Sequence, residues 1–158
     1  MNLYLAIKWL HVVSSVVLVG VGAGSAFYLY CVNRSDEIAA QSVVCRLVVR
    51  ADAWFTTPAV VLQPATGMLL AHLSGLPLST PWLAISFGLF LAAVGCWLPV
   101  VWLQIRMAAM AGEAHRAGKP LPPRYWRFAR RWELLGYPAF VALLVVFSLM
   151  VAKPDFIR

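Results

Sequence analysis

Charged side chains make up only 12% of this 158-residue sequence, and acidic ones are scarcest, with six Asp and Glu against 13 Lys and Arg. A water-soluble domain of this length carries about twice that charged fraction. The deficit excludes a chain that solvates its whole surface. Acidic groups are also missing from the interior of the long apolar runs, with Asp52 and Glu133 standing at run ends. No carboxylate relay for protons is therefore laid out across a membrane. None of the three cysteines, Cys31, Cys45 and Cys96, belongs to a Cys-x-x-Cys pair, which predicts free thiols and argues against a disulfide or a zinc cluster. There is no glycine-rich phosphate loop and no hydrolase pattern.

What fills the space instead is apolar: 62% of the residues, with seven Trp and five Met. About 20 consecutive apolar residues cross the hydrocarbon core as a helix, and four runs qualify. They cover residues 3–32, 54–75, 82–104 and 134–152. The first is longer than a span needs, which predicts tilt or projection from the membrane. Backbone groups in lipid must be satisfied within their own segment, so the runs read as helices rather than strands. The expected fold is all-α: an integral membrane four-helix bundle, one membrane domain over 1–158, with no internal repeat. Gly24-Ser25-Ala26 resembles a cleavage site, but the apolar run continues through Tyr28, Leu29 and Tyr30 and only Lys8 precedes it, so the first run reads as an uncleaved span.

The basic residues are sorted by loop. Arg34, Arg46 and Arg50 lie between spans one and two, and Arg106, Arg116, Lys119, Arg124, Arg127, Arg130 and Arg131 between spans three and four. Only Lys8, Lys153 and Arg158 fall on the other face, and "HLSGLPLSTPW" holds no Lys or Arg. Basic loops stay in the cytoplasm, so both termini are expected outside, in a bacterial inner membrane. "RYWRFARRWE" interleaves arginine with aromatics; an interfacial anchor explains it better than nucleic-acid binding, and no nucleic-acid partner is expected.

Polar residues within the spans mark candidate sites, because ionisable groups in lipid are costly. His11 lies about 12 Å below the start of its helix, and His72 and Met68 about 5 and 10 Å below the end of the antiparallel second span. All three therefore share the outer half of the bundle. Lys8, His11, Ser15, Leu18 and Gly22 form one stripe on span one, and Thr57, Val61, Pro64, Met68 and His72 one on span two. Gly20 and Gly24 point elsewhere, spaced to seat a neighbouring helix closely. His11 reads either as a metal ligand or as a hydrogen-bonder between helices; His72 as a second ligand or a wet interfacial histidine; Met68 as a soft ligand or core filler. His115 reads as a solvated loop residue. Pro58 and Pro64 disturb span two, and Gln63 between them is placed to bond a freed carbonyl or to cross to another helix. Pro99 and Pro138 predict bends in spans three and four.

"IKWLHVV…FYLY", with Lys8 and His11, followed by Thr56-Thr57-Pro58, resembles the small four-span HemJ family of protoporphyrinogen oxidases and the wider set of CopD-like membrane proteins. "QPATG", "WLPVVWLQIRM" and "GYPAFVALLVVFSLMVAKP" resemble a branch of predicted small integral membrane proteins, over nearly the whole chain. The HemJ resemblance implies a haem b site ligated by His11. His72 or Met68 would supply the second ligand and Lys8 would meet a propionate. Where that family carries Leu-His-x-Lys in span three, this chain has Leu83-Ala84-Ile85-Ser86, which leaves the oxidase activity unassigned. The CopD resemblance implies copper handling through His11, Met68 and His72. A non-enzymatic accessory subunit, working with a membrane-protein partner or a second copy of itself, is the third expectation.

Overall fold

The computed structural model describes residues 2–154, all of it helical or connecting, with no β-strand among those residues. Helix α1 runs over Leu3–Val32, α2 over Ile38–Ala51, α3 over Thr57–Leu73, α4 over Pro81–Ala117 and α5 over Pro123–Ala152. Arg158, counted above with the outer-face cations, lies outside the described residues.

Each helix ends where its chemistry stops it. Asn2 caps α1 by accepting from the Tyr4 amide at 3.0 Å, which satisfies one of the unpaired first-turn donors. Helix α4 starts at Pro81, where a missing N–H costs nothing. It continues to Gly118, whose φ of +61° lets Lys119 N–H reach Ala114 C=O at 3.0 Å. Gly75 closes α3 in the same way, with φ +65° and a bond from Leu76 N–H to Ala71 C=O.

Helix α2 occupies what the charge pattern marked as a loop. Gln41, Ser42, Cys45 and Val48 are its buried residues, an i, i+1, i+4, i+7 face with too few apolar members to stand out. It runs into α3 through a wide π-turn at Asp52–Thr56. Pro58, one residue into α3, would drive its ring against the carbonyl one turn earlier. An i→i+5 turn immediately before it opens the spacing.

Three helices, α1, α4 and α5, are long and apolar enough to cross a membrane. At about 1.5 Å per residue the 37 residues of α4 reach well past a hydrocarbon core of about 30 Å. The most apolar stretch of α5 has none of its residues buried against the protein, so its side chains need an apolar solvent outside. The larger core lies instead at the end where α1 finishes and α5 begins. There Leu29, Met107, Ala111, Tyr125 and Trp132 pack with Cys45 and Val48 of α2. A second, small cluster of Leu18, Ala59 and Phe90 ties α1, α3 and α4 together. Helix α1 packs chiefly on α3, and α4 on α5, while α1 and α5 scarcely touch. The two pairs are joined mainly at the α2 end, with the small cluster a second tie, and α1 and α5 stand apart.

Candidate functional site

His11 is built into the α1–α3 interface. Its Nδ1 lies 2.7 Å from Thr66 Oγ1, which is itself 2.6 Å from the Leu62 carbonyl. The threonine proton goes to that carbonyl, so His11 donates through Nδ1–H and keeps its lone pair on Nε2. One turn away Gln63 Nε2 donates to the His11 carbonyl at 2.8 Å and to Ser14 Oγ at 2.6 Å. Ser14 in turn donates to the same carbonyl at 3.1 Å. Gln63 thus crosses to the neighbouring helix. Gly67 lets the ring lie against α3, since a Cβ there would stand 3.3 Å from His11 Cε1.

His72 and Met68 lie elsewhere on α3. At about 100° per residue they sit roughly 180° and 140° around the helix from Gln63, and both are exposed. The depth shared by His11 and span two is real, since His11 meets Thr66 and Gly67, but Met68 and His72 turn away. Lys8 is exposed, with its Nζ 5.9 Å from the Tyr4 ring. A haem between two axial ligands needs both to face one flat space. One copy of this chain offers His11 alone on the α1-facing side of α3, so the expected pairs do not fit a bis-ligated haem. Among the described residues no three His, Cys, Asp or Glu side chains gather closely enough to hold a metal ion.

A larger feature lies between the splayed pairs. A cavity of about 450 Å³ opens between α1, α4 and α5, with Asp52, Thr56 and Val60 on its α3 side. Small residues make the room: Gly22, Ala23 and Ala26 on α1, Ala93 on α4, Gly136 and Ala139 on α5. The glycines expected to seat a helix do not; a Cβ on Gly20 or Gly24 would meet nothing within 4 Å. Most of the wall is apolar or aromatic. One end is polar: Asp52, 4% exposed, accepts from Thr56 Oγ1 at 2.8 Å, and Gln104 is 5% exposed with its Oε1 unpaired. Asp52 precedes the span that starts at Trp54. Burial pushes its carboxyl above the usual carboxylate range, and hydrogen bonds from Thr56 and Gln104 pull it partly back. No motif marks this site in the sequence. The one available signal is that Asp52 and Gln104 stand at the ends of adjacent apolar runs.

At the α2 end, Tyr125 locks three helices. Its hydroxyl donates to Asn33 Oδ1 at 2.6 Å and lies 3.3 Å from Cys45 Sγ. Burial pushes the Cys45 thiol up, so its S–H stays on and donates to the tyrosine oxygen. Arg34 stacks on Tyr30 at 3.3 Å and pairs with Glu133 at 3.5 Å.

No curated protein and no solved structure matches the chain. The long apolar helices, the outward-facing apolar side chains and the sorted charge all describe a protein in a bilayer. A family model described as "Predicted integral membrane protein (DUF2269)" matches residues 5–154, and the chain belongs to that family.

Proposed function

We propose that this chain spans the inner membrane four times with both termini outside, and that it binds a small, mainly apolar molecule drawn from the bilayer. Helix α3 serves as the fourth span, continued from α2 through the π-turn. The observation that carries the reading is the cavity, about 450 Å³ with one polar end. Concave apolar sites of roughly 300–1,000 Å³ with a few convergent polar groups are the usual form of a small-molecule site. The splay of α1 from α5 gives a bilayer solute a side entrance.

Photolabelling with an alkyl diazirine in nanodiscs tests this. Label should concentrate near Ala23, Ala93 and Ala139, and Ala93→Trp, which fills the space, should abolish it there. Label spread evenly over outward-facing residues such as Val16 and Leu91, and unchanged by Ala93→Trp, would contradict the reading.

A second reading has its own support. A histidine that donates Nδ1–H to a fixed oxygen is oriented as metal-bound histidines are, so His11 would hold haem b through Nε2. The haem would supply redox chemistry; His11, Thr66 and Gly67 would orient the ligand. Purification from haem-replete cells decides it. A Soret band in the parent, lost in His11→Ala and kept in His72→Ala, supports ligation by His11, and a parent without haem absorbance ends it.

A further inference from the structure

Charge in the cavity is of one sign. Its walls include two carboxylates, Asp52 and Glu133, and no lysine or arginine. Glu133 stands at the rim, its side chain 25% exposed and paired with Arg34. Asp52 is deep, with only Thr56 and Gln104 to satisfy it. An independent observation comes from Gln104. It is 95% buried by its 5% exposure, it lines the cavity, and its Oε1 finds no donor in the protein. A buried acceptor without a partner is costly, and what the site lacks is an N–H or O–H. Around these groups the wall offers ring faces: Phe27, Tyr30, Phe90, Trp97, Trp132 and Tyr137. Aromatic faces attract cations, most strongly where water is excluded.

Resting on the cavity being a ligand site, we infer that its ligand is a lipophilic ammonium ion, a protonated primary or secondary amine on an apolar, preferably aromatic, body. The ammonium N–H groups reach Gln104 Oε1 and the Asp52 carboxylate together, and the body lies among the rings. A neutral alcohol meets only the first demand, and an anion meets neither. Burial in the empty site raises the pKa of Asp52, and an ammonium beside it favours the carboxylate and pulls that value back down. The groups facing Asp52 are Thr56, Gln104 and, across the cavity, Glu133 with Tyr30 and Tyr137, and Arg34 stands at the rim. Affinity should therefore rise as pH passes up through the raised Asp52 value and level off above it.

The test is titration calorimetry on the full chain in nanodiscs, with empty nanodiscs subtracted for partitioning. The probes are 4-phenylbutylamine and its isostere 4-phenylbutanol. The amine should bind at least about tenfold tighter, a factor worth about 1.4 kcal/mol. Its affinity should fall as pH drops through the raised Asp52 value, where the carboxylate takes up a proton. Asp52→Asn should erase the preference, and Gln104→Leu should weaken the amine. The comparison between probes uses the parent protein, so it stands if a variant fails to fold. Equal binding of the two probes, or an amine preference untouched by Asp52→Asn in a folded protein, overturns the ammonium inference and leaves the cavity reading intact. No binding of either probe overturns both.

Discussion

At the scale of single residues, two polar groups, buried Asp52 and half-buried Gln63, carry the most direct tests. Burial raises the Asp52 pKa, so folding disfavours its carboxylate relative to its neutral form. That contribution to stability is complete below the unfolded carboxyl value near 3.8 and is lost as pH rises through the folded value. Asp52→Asn escapes the loss, so the Tm difference between variant and parent should grow in the variant's favour from pH 4 to pH 8. A flat difference over that range would contradict the burial argument. Gln63 is the second. Its two bonds to α1 are of a kind worth about 0.6 kcal/mol each on average between membrane helices, and Ser14 keeps its own bond to His11 C=O. Gln63→Leu should therefore lower stability to steric-trap or denaturant unfolding by only about 1 kcal/mol. The residues His11 and Gln63 were legible as interhelical candidates from the sequence alone. The side of α3 that receives them was not. Thr57–His72 and Gln63–Thr66 are both plausible polar faces; the amide and hydroxyl turn to α1, and His72, near the helix end, can reach the interface instead.

Elements are held together at the α2 end. Tyr125 joins the start of α5 to the end of α1 and to α2 through one hydroxyl. Tyr125→Phe removes that donor and leaves Asn33 with no side-chain partner for its buried Oδ1 as well as for its Nδ2, already unpaired. A loss of about 1–3 kcal/mol is expected, read as a lower unfolding midpoint with the helix content unchanged. A midpoint equal to that of the parent would show that the lock carries no load. The sequence marks α1 well, because 30 residues pass without a proline or a charge beyond Lys8. It hides α2, whose buried face is half polar. It also ends the third span at Gln104, where lipid would end, although nothing breaks the helix before Gly118.

For the whole molecule, the arrangement of pairs matters more than any one helix. With α1 on α3 and α4 on α5, joined by α2, the bundle opens a space that no single stripe of residues announces. The small residues along α1 are visible in sequence, but whether they seat a helix or line a void depends on the splay. The sorted charge predicts an orientation: reporter fusions should place both termini outside and the Arg34–Arg50 and Arg106–Arg131 segments in the cytoplasm. A cytoplasmic C-terminus would turn the cavity's polar end to the opposite face. The most direct measurement is crystallographic, an anomalous map of the protein with a ring-brominated 4-phenylbutylamine. The account predicts a bromine peak between α1, α4 and α5 near Ala93, with the amine within hydrogen-bond distance of Asp52 and Gln104. Bromine found only on the outward faces of the helices, with the space beside Ala93 closed by side chains, would contradict it.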